Sequence, residues 1–479
     1  MPAKDYEKVI GLEIHVRIKS NTKMFCNCKN AVALASEPNI NVCPICMGFP
    51  GMLPTVNTEV VRLGLIGGMM MGCEVQKTSR FDRKTYFYPD NPISYQITQM
   101  YEPIVGEGKV KTLVNGEVRE FSIHHMHLEN DAGKLVHAGG KTLCDYNRAG
   151  SPLMEIVTNP VFKEKEEVME FLRELQKMMR AAGVSDADME KGQLRCDVNL
   201  SIMPVGSTVF GTRVELKNIN SFSSIGRAID NEFSRQVKIL DAGEKVDQET
   251  RGWDDDKGVS HTQRSKEDAM DYRYFPEPDL LPIVLEDDFI AECRASLPEL
   301  PIEKRLKYLN EYKLAEDDAR ILSADHTLGN YFDQVVEMTK DPKKSCAYVT
   351  TVILALMKEA LVDDIENIKV SAQELAEIIK MVNADELSST NAKIVVEELF
   401  ANGGKAREIA ENKNLIQKND LGALEMIVDT IIGENPTQVE DYKAGNERIF
   451  GFLVGQCMKA SQGAGNPKIF NEILKKKLG

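Results

Sequence analysis

The sequence predicts an α+β chain: a β-rich domain with a metal-stapled loop, then an all-α helical domain and a small all-α tail. Three observations carry this. To about residue 295, short β-branched or aromatic runs are broken by Gly, Asn, Asp and Pro. A proline-rich stretch follows, and beyond it almost every segment has helical period with proper ends.

Val9-Gly11-Glu13-His15 and Lys109–Val118 exemplify the strands. One clear helix interrupts them: Val168, Phe171, Leu172, Leu175, Met178 and Met179 recur at helical spacing, with acidic residues at the start and Gly183 after the end. Phe275–Pro282 and Leu297–Pro301 restrict the backbone and supply few donors to a ladder, which places the first domain at 1–295. In the helical part, Ser371 and Glu374 form a capping box, Gly403 and Gly433 follow helices, and Asn466-Pro467 opens the last one. The Ala401–Gly404 break divides this part into 296–402 and 403–479.

A chain of 479 residues corresponds to about three domains. Its net charge of -15 means that a nucleic-acid partner must be held by local patches. The apolar stretch Leu63–Cys73 is about half of the roughly 20 residues that a membrane span needs, and the N-terminus lacks a secretory signal's apolar region, so a cytoplasmic protein is expected. Ten cysteines are too sparse for a disulfide scaffold.

Four of them, Cys26-x-Cys28 and Cys43-x-x-Cys46, form two close thiol pairs suited to tetrahedral zinc. Four sulfur ligands leave no open position, so such a zinc is structural. Strand alternation puts Glu13 and His15 on one face and Leu12, Ile14 and Val16 on the other. Glu155 lies in the apolar run Pro152–Val157, and Glu129 in a stretch dense in oxygen and nitrogen ligands. Such carboxylates either join salt bridges or solvated faces, or hold magnesium together with substrate phosphates.

Gly140-Lys141-Thr142 ends like a phosphate loop, but Leu135 stands where its first glycine is required. Gly106-x-Gly108 lacks the third glycine of a dinucleotide fingerprint, and no serine elbow is present. His125 and His127 share a strand face while His124 points away, so the tract does not make a metal site by its spacing. Arg195–Asn199 and Glu215–Phe222 alternate polar with apolar residues, as strands lining a cavity or a half-exposed sheet do.

These segments together resemble the B-subunit family of the tRNA-dependent amidotransferases, which convert Glu-tRNA(Gln) to Gln-tRNA(Gln) and Asp-tRNA(Asn) to Asn-tRNA(Asn). The matching motifs are Val9–Val16, Phe81-Asp82-Arg83-Lys84 with Tyr86–Pro92, Glu129-x-Asp131–Lys134, Asp145-x-Asn147-Arg148, Glu215–Asn218, Asp271–Asp279, Gly451–Gln456 and Asn466-Pro467. They span essentially the whole chain.

The resemblance implies that the first domain is a cradle in which ATP phosphorylates the side-chain carboxylate of the mischarged amino acid, after which ammonia displaces phosphate. Glu13, His15, Glu129 and Glu155 would hold magnesium, and Lys217 would join Glu13, His15, Glu129 and Glu155 as a catalytic residue. Cys26, Cys28, Cys43 and Cys46 would hold the structural zinc found in some members. The implied partners are an amidase-type A subunit that supplies ammonia, a small C subunit completing a heterotrimer, and mischarged tRNA(Gln) or tRNA(Asn), with neither DNA nor membrane. The helical part would bind tRNA through scattered cations, with Lys405, Arg407, Arg448, Lys459, Lys468 and Lys475 as candidates. The competing reading is a non-catalytic tRNA-docking scaffold. It leaves acids in apolar strands, where desolvation is costly, without a role.

Overall fold

The computed structural model describes residues 5–30, 37–265, 271–417, 421–461 and 465–479. The chain divides into two compact units, Met1–Glu303 and Lys304–Gly479.

The first unit is organised by strand β1 (Tyr6–Arg17), whose alternation is realised: Leu12, Ile14 and Val16 are buried to 1% exposure or less, while Glu13, His15 and Arg17 are half-buried. It lies within an eight-stranded sheet with β2 (Gly108–Val114), β3 (Glu117–Asn130), β4 (Pro152–Thr158), β5 (Leu194–Pro204), β6 (Val214–Lys217), β7 (Glu249–Asp254) and β8 (Val259–Ser265). The order is β8-β7-β6-β5-β1-β4-β3-β2, antiparallel throughout except between β6 and β7. The Lys109–Val118 run is a hairpin, not one strand. It turns at Asn115 and Gly116, both left-handed (φ 50° and 83°), the conformation that a two-residue hairpin requires.

Three helices, α1 (Thr58–Met70), α2 (Lys165–Ala181) and α3 (Phe222–Asp241), share one core with the sheet's apolar residues. Only α2 stands out from sequence periodicity. Nine residues of α1 are buried, and it carries glycines at 64, 67 and 68, so beyond Arg62 it shows no polar residue. Those glycines admit close neighbours: a Cβ on Gly68 would lie 2.8 Å from a methyl of Val105. Helix α3 bridges the parallel pair β6 and β7, as such a crossover must, and Ser221 caps it by accepting from Ser224 N.

Beside the sheet, Asp82–Thr85 pairs with Tyr95–Thr98 and with Phe275–Pro276. Arg83 makes a two-pronged contact with buried Glu277 at 2.7 and 2.8 Å and a third bond to Asp279 at 2.8 Å. Two motifs almost 200 residues apart are thus one structural joint.

The second unit is all helical, with two hydrophobic cores, one from Tyr308 to Ala410 and one from Leu424 to Leu478. The expected box at Ser371 is half made: Ser371 accepts from Glu374 N at 3.3 Å, but the Glu374 carboxylate accepts from Ala406 N at 2.8 Å instead. Gly403 follows a helix as expected, whereas Gly433 lies within Leu421–Glu434. Asn466 caps the last helix, with Pro467 in its first turn.

Phe162 joins the strands to α2: it is fully buried, stacked on Phe121 at 4.6 Å and edge-on to Phe171 at 5.1 Å. Phe162→Ala is expected to destabilise the first unit by about 3–5 kcal/mol, read from its denaturant unfolding transition.

Candidate active site

Strand register assembles the polar face. On β1, Glu13 sits opposite Asp197 of β5, while His15 sits between Arg195 of β5 and Glu155 of β4. Glu155 in turn faces His127 of β3. Alternate residues of five strands therefore share one surface, with the apolar core behind it.

Two groups of acids form on this surface. In the first, His15 Nε2 lies 3.2 Å from Glu155 Oε2 and 3.5 Å from Glu129 Oε1. His127 Nε2 lies 3.5 Å from Glu155 Oε2 and 3.8 Å from Glu129 Oε2. Burial pushes the His127 imidazolium down, but the charge on Glu155 and hydrogen bonds with Glu129 and Glu155 outweigh it and raise its pKa to about 9. His15 is also raised: burial opposes its charge, and Glu155 and Glu129 overcome that. Burial raises Glu155, yet the two histidines hold it well below the usual carboxylate range. Lys84 stands 4.8 Å over the Tyr272 ring; burial disfavours its charge, and Glu129, Tyr274 and Glu155 favour it enough to raise its pKa.

The second group holds Glu13, Asp197 and Glu215, one oxygen from each lying within 4.8 Å of the others. Lys217 donates to Asp197 and, at 3.0 Å, to Glu215 Oε1. Asn199 donates to Glu13 Oε1 at 3.0 Å, and Thr250 to Glu215 Oε2 at 2.7 Å. Burial, then the charges of Glu155 and Glu215, raise the pKa of Glu13.

The four residues expected to share one magnesium therefore divide between two groups. His15, Glu129 and Glu155 come together, while Glu13 joins Asp197, Glu215 and Lys217. His127, which its tract of three histidines does not mark as a site residue, belongs at the first group, and Asp197, Glu215 and Asn199 belong at the second. The signal for the second group is the alternation in Arg195–Asn199 and Glu215–Lys217; only the register shows which face meets which. Beside Glu13 opens a cavity of about 220 Å³ lined by Gly11, Asn199, Ser201, Phe210 and Arg213, among others.

Cys26, Cys28, Cys43 and Cys46 converge, all four sulfurs within 4.8 Å of one another. Tetrahedral zinc with about 2.3 Å bonds holds its sulfurs about 3.8 Å apart, so the cluster fits that ion. Cys46 is drawn down to about 5 by a hydrogen bond from Cys26, against burial, and by the Cys43 N–H and the charge of Lys23.

In the helical unit, three expected tRNA contacts are already paired: Lys405 with Glu374 at 2.8 Å, Arg407 with Glu377 at 3.0 Å and Glu386 at 2.9 Å, and Lys468 with Asp385 at 2.7 Å. Arg448, Lys459 and Lys475 are exposed, and no ion pair is seen for them among the described residues.

Residues 8–291 match the model of the GatB/GatE catalytic domain, and residues 330–478 match that of the GatB domain. The chain belongs to the GatB family. The B subunit of the aspartyl/glutamyl-tRNA(Asn/Gln) amidotransferase of Persephonella marina is 44% identical over 475 residues, covering 99% of this chain and all of that one. The corresponding proteins of Trichlorobacter lovleyi and Clostridium botulinum are 43% and 42% identical over 99% and 98% of both chains. Both acid groups and the four cysteines lie inside the span of the catalytic-domain match. Among the described residues, no helix is long and apolar enough to cross a membrane.

The raised pKa of His127 fixes a pH dependence for the metal-free protein. A group that binds its proton more tightly when folded stabilises fully below its unfolded value of 6.5 and loses that contribution as pH rises through about 9. In chelator-treated protein the thermal midpoint of the first unit should fall across this window, and His127→Gln should flatten that part of the profile.

Proposed function

We propose that this chain is the ATP-using subunit of a glutamine-hydrolysing amidotransferase that acts on Glu-tRNA(Gln), Asp-tRNA(Asn) or both. One observation carries the reading: two three-membered ligand groups stand side by side on one sheet face, beside a cavity, in a GatB-family chain.

An oxygen of the amino acid's side-chain carboxylate attacks the γ-phosphorus of ATP and expels ADP. Ammonia then attacks the carbonyl carbon of the acyl phosphate, phosphate leaves, and a proton lost from nitrogen completes the amide. Glu13, Asp197 and Glu215 would hold one magnesium, and His15, Glu129 and Glu155 a second; when bound, magnesium neutralises charge on the phosphate oxygens. Lys217 and Lys84 are the cations positioned to meet phosphate as charge develops. His127 holds Glu155 ionised and oriented. The cavity at Gly11 and Phe210 suits the nucleoside end of ATP, because it opens directly beside Glu13.

The ammonia would come from an amidase-type A subunit, with a small C subunit completing a cytoplasmic heterotrimer; neither DNA nor membrane enters this role. Cys26, Cys28, Cys43 and Cys46 would bind a structural zinc. We shift the end of the cradle from 295 to about 303, with the helical domain following, because Leu297 and Leu300 pack against the first core and the chain divides after Glu303. We shift the start of the tRNA-binding tail from 403 to beyond residue 412, because Ala406 and Ala410 pack into the first helical core.

The test is ATP hydrolysis by the reconstituted complex with Glu-tRNA(Gln) against uncharged tRNA. Charged tRNA should stimulate hydrolysis, and Glu155→Gln should lower the stimulated rate at least about a hundredfold with tRNA affinity unchanged. Hydrolysis indifferent to both charging and substitution would instead assign the chain a scaffold role.

Gly211 offers a second test. A Cβ there would stand 2.1 Å from the Ile202 carbonyl oxygen, so Gly211→Ala must push its loop, and with it Phe210, off β5. KM for ATP should rise while affinity for tRNA stays constant.

A further inference from the structure

Lys23 is 0% exposed, a state that an ammonium occupies only when its charge is answered. Its Nζ donates to the Asn41 carbonyl at 2.7 Å and the Tyr146 carbonyl at 3.4 Å, and lies 3.7 Å from Cys46 Sγ. Carbonyls offer partial charge alone, whereas four thiolates around a divalent cation carry a net charge of about -2. The lysine and the sulfur cluster therefore answer each other.

The partners of Lys23 lie on two separate segments, the cysteine loop and the turn Asp145–Gly150. Further bonds join the same two segments. Asn39 Nδ2 donates to the Cys144 carbonyl at 3.0 Å, while its Oδ1 accepts from Tyr146 N at 2.7 Å. Asn41 N donates to Asn147 Oδ1 and Asn147 Nδ2 to the Glu37 carbonyl, both at 2.8 Å. Gly150 supplies the left-handed conformation of the turn (φ 85°) where it lies against Lys23 and Cys46.

From the turn the connection runs to the polar face. Arg148 donates to the carbonyls of Ala132 at 3.0 Å and Gly133 at 2.6 Å. Gly150 N donates to the Asp131 carbonyl at 2.9 Å, and Asp131 N to that of Ser151 at 2.8 Å. Asp131 follows Glu129 by two residues and accepts from Arg195 at 2.8 Å. The cysteine loop is thus tied to the strand end that carries Glu129.

We propose that Lys23 is the internal counter-cation of the four-thiolate metal centre, a positioning residue through which metal occupancy holds the Asp145–Gly150 turn against the strand end bearing Glu129. The proposal rests on the zinc reading of the four cysteines. Without metal the lysine faces the single sulfur of Cys46 in place of a four-thiolate centre, and the joint between the two segments loosens.

The experiment uses the full-length chain in its complex and begins with metal content. Wild type should hold about one zinc; protein that neither holds nor takes up zinc overturns the zinc reading, and Lys23 with it. Given zinc in wild type, Lys23→Met is compared by transfer of zinc to a chromophoric chelator, expected about tenfold faster or more. In cobalt-substituted protein, loss of the ammonium beside Cys46 should also move the sulfur-to-cobalt charge-transfer band to longer wavelength, a change that loosened packing alone would not produce. Zinc-loaded Lys23→Met with the wild-type release rate and band overturns the role of Lys23 while leaving the zinc reading standing. Hydrogen exchange on wild type decides the question even if the variant does not fold. Stripping the metal should expose the amides of both 39–47 and 145–150, and a turn that stays protected overturns the coupling.

Discussion

The pairing register of β1 is the constraint on which the rest of the site depends. A slip of one residue against either neighbour would send Glu13 and His15 toward the helices and turn Leu12, Ile14 and Val16 to the polar face. The apolar set prevents this, since three essentially buried side chains have no second place to go. Hydrophobic burial on one side of the sheet thereby holds at fixed spacing charged groups that would disperse if free.

Those acids are tolerable because cations are interleaved among them strand by strand. His15 and His127 flank Glu155 from β1 and β3, Lys217 sits beside Asp197 and Glu215, and Arg195 answers Asp131. At Glu13 the balance goes the other way, since burial and the neighbouring acids outweigh the charge of Lys217. The bond of Glu13 from Asn199 is neutral and its nearest acids oppose its ionisation, so its pKa rises while that of Glu155 falls. A face with this imbalance attracts further positive charge at Glu13, next to the open cavity.

What was legible in the sequence follows the range of the interactions. The faces of β1, the helix α2, the cap at Asn466 and the four-cysteine cluster depend on neighbours within a few tens of residues, and each reads directly from spacing. Helix α1 was hidden because it is apolar and glycine-rich from Leu63 on, and period alone cannot separate such a segment from a strand. His127 was hidden because its meaning lies in Glu155, which only the register of the neighbouring strand brings opposite it. Asp197 and Glu215 lie 184 and 202 residues beyond Glu13, and only the strand order brings them to it. The family resemblance named Glu13, His15, Glu129 and Glu155 as one set because motifs record which residues matter, not which of them touch.

The same reasoning accounts for the sulfur cluster inside a unit that already has a large core. Its loop folds over the end of β3 and leaves much of its own apolar surface unburied: Ile40, Phe49, Met52 and Leu53 are all exposed. Hydrogen bonds from Asn39, Asn41 and Asn147 give direction to such a loop but little net free energy, since water offers the same bonds. Four sulfurs gathered from 21 residues of chain offer what the asparagines cannot, a centre whose bonds have no counterpart in the solvated loop. The buried ammonium of Lys23, 3.7 Å from Cys46 Sγ, adds a charged contact to that centre. The wall of the site at Asp131 therefore depends on two independent sources of order: the apolar core beneath the sheet and a charged joint at its end.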